Sequence, residues 1–250
     1  MIVSRTRREI ESMRLAGEIV AASFQCIEDM LVPGVPSEQI DKTVEAFVQG
    51  RGGSLLFKGY RGFPASTCIS INEEVVHGIP GRRRLAAGDI VSIDIGVRYQ
   101  GWCADAARTF PIGEVSAQKS AVTDAARGAL AAAINALYPG MRLVELSRTI
   151  QDYVESRGFS VVRNYVGHGI GREMHEEPQV PNFVDASVRQ ATTVLPEGCC
   201  LAIEPMVNAG AFEVETLSNG WTVVTSDHKP SAHWEDTVAI TAAGPVVITA

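Results

Sequence analysis

The chain has 250 residues, of which 46% are hydrophobic and 20% are charged, and its formal net charge is −7. A chain of this length and composition can bury a sizeable core, so we expect a soluble globular protein. The acidic balance argues against specific binding of nucleic acid, because no broad basic face is available to neutralise phosphates.

The first predicted element is a helix that begins close to the N-terminus. Thr6 and Glu9 have the spacing of a capping box. Apolar residues then recur at helical spacing, at Ile10, Met13, Ala16, Val20, Phe24 and Ile27. Arginines occupy the segment where a signal peptide would need an apolar run, and no apolar stretch approaches the ~20 residues of a membrane span. We therefore expect a cytoplasmic protein without membrane association.

The following elements occur twice in the chain. At an offset of 106, Leu31 to Ser54 aligns with Leu137 to Ser160, and eight of the 24 aligned positions are identical. Each copy predicts a helix, a Pro-Gly turn that ends it, and a second helix closed by glycine. The repetition indicates an internal duplication.

The segment from Ile90 to Phe110 predicts a β-hairpin, because apolar and polar residues alternate on either side of a turn. If the strands fold symmetrically about Tyr99 and Gln100, Asp94 lies directly opposite Asp105, although a bulge at the turn would shift this register. Like charges in that position repel unless a cation lies between them. Two solvated acids at a sheet edge are the alternative interpretation.

A second repetition includes one of these acids. Leu85 to Asp94 aligns with Leu195 to Glu204, which makes Asp94 and Glu204 equivalent, and the tripeptide at His77 corresponds to the one at His168. We therefore predict an α+β fold of two pseudo-symmetric halves, about 5–112 and 113–250, that share a central antiparallel sheet with helices on the outside. No linker separates the halves, so we expect a single domain over residues 1–250.

The glycine-rich stretch GHGIGREMHEEP, which begins at Gly167, predicts a tight strand-to-helix turn. It lacks the Lys-Ser/Thr of a phosphate loop and the spacing of a dinucleotide fingerprint, so we expect no nucleotide site. The five cysteines have no C-x-x-C spacing, which indicates reduced thiols rather than disulfides or a zinc knuckle.

Acids within apolar strands indicate a metal site. Glu204 and Glu235 join Asp94 and Asp105 as side chains that are costly to bury without a counter-charge. Together with one imidazole, these carboxylates would be nearly balanced by two divalent cations. Oxygen-rich ligation favours Mn²⁺, Fe²⁺ or Co²⁺ over structural zinc, which prefers thiolates. Ions ~3.5 to 4 Å apart would share a bridging hydroxide, so the expected reaction is acyl transfer to water.

Six strings in the chain resemble the motifs of type I methionine aminopeptidases. They are NEEVVHGIP, SIDIGVRYQGWCAD, GHGIGREMHEEPQVPN, AIEPM, SNGWTVVT and SAHWEDTV. The resemblance extends over nearly the whole chain, and the five metal-ligand positions are filled in the family's order. It implies the pita-bread fold, which agrees with the duplication.

The resemblance implies the metal ligands. Asp94 resembles the terminal ligand of one ion, and Asp105 and Glu235 resemble the ligands that bridge two ions. His168 and Glu204 resemble the ligands of the second ion, and Glu204 is also the implied proton shuttle. The implied cofactor is two divalent ions per chain, Co²⁺, Mn²⁺ or Fe²⁺, with Zn²⁺ and Ni²⁺ as further possibilities.

The resemblance also implies a substrate site. His77 and His175 resemble two non-ligand histidines that hydrogen-bond the substrate and stabilise the tetrahedral intermediate. Because imidazole changes charge near working pH, we expect both to serve as proton or hydrogen-bond donors. The residues that resemble the methionine side-chain pocket are Tyr60, Phe63, Cys68 and Trp221, with Phe57 nearby; without the resemblance they would be ordinary core residues. The departures from the common family pattern are Met174, His233 and Asp236.

The implied function is removal of the initiator methionine from nascent polypeptides, with a small second residue preferred. A bridging hydroxide would attack the scissile carbonyl. Docking on the ribosome is a possible further interaction, and a monomer is the default expectation.

Three other classes of protein share this fold. Aminopeptidase P and prolidase normally carry a large extra N-terminal domain, for which Met1 to Gly53 leaves too little length. Type II methionine aminopeptidases insert a helical subdomain, whereas only 28 residues separate His175 from Glu204. Non-catalytic binding modules for peptides, histones or RNA typically lose ligand acids, and this chain has lost none.

Overall fold

The computed structural model describes residues 1–185 and 188–250. The α-helices are α1 (Arg7–Cys26), α2 (Ser37–Gly50), α3 (Ala117–Ala136), α4 (Leu143–Glu155) and α5 (Val188–Thr192). The strands are β1 (Ser54–Leu55), β2 (Cys68–Ile71), β3 (Glu74–Val76), β4 (Ile90–Tyr99), β5 (Trp102–Pro111), β6 (Ser160–Val161), β7 (Gly167–Gly169), β8 (Glu176–Val180), β9 (Cys200–Ile203), β10 (Met206–Asn208), β11 (Val214–Thr216), β12 (Val223–Thr225), β13 (Ser231–His233), β14 (Asp236–Thr241) and β15 (Gly244–Val247). Short 3₁₀ turns occupy Glu28–Met30 and Tyr60–Gly62.

Helix α1 begins with the predicted capping box. The backbone N–H of Glu9 donates to Thr6 Oγ1 over 3.3 Å, and the Thr6 N–H donates to Glu9 Oε2 over 2.9 Å. Its buried face contains Ile10, Met13 and Ala16, as the helical spacing predicts, and it packs against the hairpin of β4 and β5. Within the described residues, no helix has the length and apolar character that crossing a membrane requires.

The duplication is visible in the backbone. Helices α2 and α4 begin 106 residues apart, as do strands β1 and β6. The turns before the two helices use Gly34 and Gly140, with φ of +96° and +93°, a region that favours glycine. Each of these glycines donates its N–H over 2.8 Å, Gly34 to the carbonyl of Leu85 and Gly140 to that of Leu195. In each half, the turn before the second helix therefore contacts the start of the later repeat in the same way.

Antiparallel pairing joins the strands of both halves. The described strands form four sheets, of which the two largest contain β1, β2, β4 and β5, and β7, β8, β9, β14 and β15. These two sheets meet where Ala107 of β5 pairs with Glu235, through reciprocal N–H to carbonyl bonds of 3.0 and 3.3 Å. One apolar cluster packs α1 and α2 on β4 and β5, and a second packs α3 and α4 on β9 and β14. The helices thus cover the sheets, and the meeting line lies between the halves.

The β4–β5 hairpin differs from the predicted register. Its turn is centred on Gln100 and Gly101, with φ of +49° and +78°, one residue later than the symmetric fold assumed. Asp94 therefore pairs with Ala107, and Asp105 pairs with Gly96. The prediction that the two aspartates face each other directly is wrong. Because the pairing shifts by two positions, they still share one face of the sheet as diagonal neighbours.

The glycine-rich stretch at 167–171 does not lead into a helix, so the strand-to-helix prediction is also wrong. Strand β7 turns back into β8, and His168 pairs with Gln179. A side chain on Gly169 would collide with the backbone of Glu177, so glycine is needed here for the close approach of two strands. The glycine pattern alone does not distinguish this role from a helix start.

Candidate active site

A cavity of about 580 Å³ opens at the line where the two halves meet. Every residue predicted for the site contributes to its wall, and these are Tyr60, Phe63, Cys68, His77, Asp94, Asp105, His168, His175, Glu204, Trp221 and Glu235. Phe57, Met174 and His233 line it as well. The structure therefore brings together residues that are up to 178 positions apart, from Phe57 to Glu235.

The five predicted ligands come from strands or strand ends of both halves. Asp94 and Asp105 lie on β4 and β5, and His168 lies on β7. Glu204 directly follows β9, and Glu235 lies between β13 and β14. Rigid strands hold side chains more firmly than loops, which suits a site that depends on fixed distances.

The candidate ligand atoms lie close to one another. Asp105, His168 and Glu235 each direct one such atom into a space where all three fall within 4.8 Å of one another. His168 Nε2 is also 3.6 Å from Glu204 Oε1. His168 Nδ1 is hydrogen-bonded over 3.0 Å to the Gly169 carbonyl, which can only accept. Nδ1 therefore carries the proton, and Nε2 presents its lone pair to the carboxylates.

Several carboxylate oxygens at this point lack a hydrogen-bond donor. Asp94 Oδ1, Asp105 Oδ1 and Glu235 Oε1 are buried, and none has a partner among the described residues. A buried carboxylate without a counter-charge is costly, whereas a divalent cation would satisfy all three oxygens together. Four carboxylates and one neutral imidazole are also the donor set that Mn²⁺, Fe²⁺ and Co²⁺ accept. The residues present thus fit a divalent metal centre.

The burial of these carboxylates without a counter-charge also shifts the pKa values of the site. Burial, and next the charge of Asp105, raise the pKa values of Asp94, Glu204 and Glu235 well above their usual range. Burial raises the pKa of Asp105 itself to about 6 and lowers that of His168 to about 3. Asp105 affects each of the other acids, so it lies at the electrostatic centre of the cluster.

A pH dependence follows for protein stripped of divalent ions. The pKa of Asp105 rises from 3.8 to about 6 on folding, so between these values the folded protein binds more protons than the unfolded chain. The stabilisation that the protonated Asp105 carboxyl group contributes is complete below pH 3.8 and is lost as the pH rises through about 6. Measured by chemical denaturation, the chelated protein should lose stability relative to an Asp105→Asn variant between about pH 4 and 6. A gain in relative stability over this range would contradict the burial of the carboxyl group.

The two predicted non-ligand histidines both line the cavity. His175 Nδ1 is 2.8 Å from the Tyr60 hydroxyl, and its ring stands edge-on to His168 with centroids 4.3 Å apart. His77 has a φ of +58° and stands edge-on to Tyr165 at 5.4 Å. Both imidazoles thus have a defined orientation toward the cavity.

The charge state expected of these histidines needs correction. Burial lowers the pKa of His77 to about 4, with a smaller effect of His175. The pKa of His175 is also lowered, first by partial loss of solvent and then by Arg61. His77 is therefore neutral at neutral pH and can donate a hydrogen bond, but it is not a proton donor with a pKa near 7.

An apolar pocket adjoins the carboxylates. Phe57, Phe63, Cys68 and Met174 are buried there, and Trp221 meets the Phe63 ring edge-on with centroids 5.1 Å apart. Burial raises the pKa of Cys68 well above its usual value, so this thiol is an uncharged part of the wall. Met174, a departure from the family pattern, therefore contributes directly to the pocket's shape.

His233 and Asp236, the other two departures from the common family pattern, have different surroundings. His233 is buried in the cavity wall, and its Nε2 lies 3.8 Å from Glu204 Oε2. Asp236 instead accepts hydrogen bonds from Arg108 Nη2 at 2.6 Å and Thr249 Oγ1 at 2.7 Å, so it ties β14 to β5 and the C-terminus.

Tyr165 and Arg61 are among the cavity residues that the sequence did not predict. Tyr165 contacts His77, and Arg61 lies close enough to His175 to lower its pKa. Tyr165 lies only three residues before His168. Nothing in hydrophobic periodicity or turn chemistry distinguishes either residue from a surface side chain.

Comparisons with known proteins point to one family. Residues 11–242 match metallopeptidase family M24. A curated methionine aminopeptidase of Clostridium perfringens is 46% identical over 249 residues, which span 100% of this chain and 99% of the relative. Methionine aminopeptidase 1 of Bacillus subtilis is 45% identical with the same coverage. The crystal structure of methionine aminopeptidase from Thermotoga maritima superposes with a TM-score of 0.95 at 42% identity, covering 100% of this chain and 99% of that one. The predicted α+β, pita-bread fold class is confirmed.

Proposed function

We infer that the chain, which belongs to metallopeptidase family M24 and is 45 to 46% identical over its full length to curated methionine aminopeptidases, is itself a methionine aminopeptidase, a metal-dependent hydrolase that removes the N-terminal methionine of polypeptides. The observation that supports this most strongly is the cavity itself, where unpartnered buried carboxylates adjoin an apolar pocket. One part suits a divalent centre for hydrolysis, and the other suits an unbranched apolar side chain.

The ligand roles are part of this proposal. Asp94 would hold one ion, His168 and Glu204 would hold the second, and Asp105 and Glu235 would contribute to both. The oxygen-rich set favours Mn²⁺, Fe²⁺ or Co²⁺, and Zn²⁺ or Ni²⁺ also have compatible ligands. Divalent ions bound here supply Lewis acidity and lower the pKa of water, which provides a hydroxide nucleophile for the scissile carbonyl at neutral pH.

The remaining steps use side chains of the chain. The apolar wall formed by Tyr60, Phe63, Cys68 and Trp221 binds the methionine side chain and excludes water. His175, oriented by the Tyr60 hydroxyl, donates an N–H to the carbonyl oxygen as negative charge develops on it. His77, which also lines the cavity, donates a second hydrogen bond. Glu204 accepts the nucleophile's proton and transfers it to the leaving amine.

The substrate and setting extend the proposal. We propose that the chain acts on nascent polypeptides in the cytoplasm, works as a monomer and prefers a small second residue. Docking on the ribosome would bring the emerging N-terminus to the cavity. No specific nucleic acid is required for this activity.

Turnover of short peptides tests the function. With Mn²⁺ added, the protein should release methionine from Met-Ala-Ser faster than from Met-Leu-Ser and should leave an Xaa-Pro peptide uncut. A chelator should stop the reaction, and added metal should restore it. Preferential cleavage of the Xaa-Pro peptide would assign the chain to the proline-specific branch of the fold. Failure to bind metal or cleave either class would overturn the enzyme assignment.

A further inference from the structure

The loop that carries His175 is closed by a single carboxylate. This His175 loop, residues 170–175, connects β7 to β8, and Glu176 follows it directly. Glu176 Oε1 accepts the backbone N–H of Arg172 over 2.8 Å and that of Glu173 over 3.2 Å. Its other oxygen, Oε2, accepts a hydrogen bond from Arg5 Nη2. One side chain therefore fixes the loop's backbone and also joins it to the N-terminal segment.

Arg5 reaches this carboxylate from a well-fixed position. Its backbone N–H donates to the Gly198 carbonyl over 2.8 Å, and Thr6, which caps α1, follows it. Its side chain is only 9% exposed, and the Glu176 side chain is 16% exposed. A methyl group at Gly171 would strike the Arg5 guanidinium, so loop backbone and guanidinium are in close contact. The ion pair is thus buried against the loop rather than solvated at the surface.

The loop also rests on the hairpin that carries Asp94 and Asp105, and the Arg5 guanidinium lies 5.4 Å from the centre of the Trp102 ring in that hairpin. The Cys103 N–H donates to the Gly171 carbonyl over 2.8 Å, and Arg98 Nη1 donates to the Arg172 carbonyl over 2.7 Å. The Arg172 guanidinium also stacks 3.7 Å from the Trp102 ring centre. Arg5 and the hairpin therefore both hold the His175 loop.

The position of His175 depends on this loop. Its ring contacts the Tyr60 hydroxyl and the His168 ring, but no hydrogen bond among the described residues fixes the backbone of His175 itself. The backbone of Met174, which precedes it, is hydrogen-bonded to His168, and further fixed points are Glu176 on one side and the Arg172 and Glu173 amides on the other. A buried ion pair contributes little net stability, because desolvation offsets most of its attraction. Its effect is to define geometry.

We propose that Arg5 is a positioning residue for the reaction: through Glu176 it fixes the His175 loop and so aims the His175 imidazole at the substrate carbonyl. This inference rests on the proposed function, because His175 has a role only if that hydrolysis occurs. Misplacement of a catalytic group by about 1 Å can cost on the order of 10²-fold in rate.

Steady-state kinetics provide the first test. Arg5→Met should lower kcat for Met-Ala-Ser by roughly 10- to 100-fold while KM and bound metal change little. Glu176→Gln should behave similarly, and the double variant should be no worse than either single one, because both changes break the same pair. Arg5→Lys, which keeps the charge without the planar fork, should recover part of the loss. Arg8→Met is the matched control, since Arg8 is exposed in the same segment, and it should retain wild-type kcat.

A comparison in a His175→Ala protein separates a positioning role of Arg5 from general damage to the fold. In a His175→Ala protein, Arg5→Met should cause no further loss of kcat, because its effect passes through the missing imidazole. An equal loss in both backgrounds would overturn the proposal. If Arg5→Met does not fold, Arg5→Lys is compared in the same two backgrounds.

Amide exchange gives a readout that does not depend on turnover. The Arg172 and Glu173 amides should be protected in the wild-type protein and should exchange at least about tenfold faster in Arg5→Met, with β14 amides unchanged. Unchanged exchange of the two loop amides would overturn the proposal. A wild-type protein without turnover would instead defeat the proposed function, and the exchange result would still decide whether Arg5 fixes the loop.

Discussion

Replacing Asp105 with Asn should remove both metal ions and lower turnover of Met-Ala-Ser by at least about 10³-fold, because losing both ions costs more than losing one electrostatic group. Asp105 has one buried oxygen without a donor, and its charge raises the pKa of each of the other acids. An amide keeps the shape but presents a weaker neutral oxygen in place of a shared anionic one. Elemental analysis after equilibration with Mn²⁺ measures the occupancy.

The fold should survive this change, which makes the result interpretable. The backbone of Asp105 is fixed by Thr237, whose Oγ1 accepts the Asp105 N–H over 2.9 Å and donates to its carbonyl over 2.8 Å. Asp94→Asn is the informative comparison, because it should weaken one ion and leave the second. Asp124→Asn, on the exposed face of α3, serves as the control with full occupancy. Two retained ions in Asp105→Asn would refute its bridging role.

Replacing His175 with Ala should lower kcat by roughly 10² to 10³-fold while both ions remain bound, as expected for loss of one donor to a developing oxyanion. His175 contacts Tyr60 and the ring of His168, but its nitrogens are not among the clustered ligand atoms. His77→Ala should change kcat in the same direction, because His77 also lines the cavity. Single-turnover kinetics with metal analysis separate chemistry from binding.

Tyr60→Phe is the graded control for His175. It removes only the hydroxyl that lies 2.8 Å from His175 Nδ1, so its effect on kcat should be smaller than that of His175→Ala. If His175→Ala lost its metal, the histidine would be a ligand, and its assignment as a donor to the substrate would be wrong.

The strand pattern was enough to predict the sheet face of Asp94 and Asp105, the acids proposed to bind metal, but not their register. Alternation along β4 and β5 determines that Asp94 and Asp105 share a face, because side chains alternate with a period of two. The pairing depends on where the turn falls, and Gln100 adopts a positive φ that its residue type does not announce. Although the predicted register was wrong, both acids still face the cavity, because the strand pairing shifted by an even number of residues.

The glycines of the β7 region illustrate a different limit. Gly169 is required because the Glu177 backbone approaches it, and such an approach depends on a strand that follows in three dimensions. A glycine at a helix start looks the same in the sequence. The histidines were predicted by resemblance, but the low pKa of His77 depends on its burial, which no local pattern reveals.

Contacts distant in sequence were not predictable. Arg5 and Glu176 are 171 residues apart, and Arg5 resembles the exposed Arg7 and Arg8 in every local respect. Tyr165 acquires its place in the cavity only through the fold. Duplication and family motifs indicated which residues carry the chemistry, whereas the residues that position them emerge from tertiary packing.

Anomalous diffraction from crystals grown with Mn²⁺ tests the central claim most directly. Two peaks should appear in the cavity, both beside Asp105 and Glu235, with Asp94 next to one and His168 and Glu204 next to the other. Peaks that lie away from these five residues, or a site that binds no ion at saturating Mn²⁺, would contradict the proposed dinuclear centre.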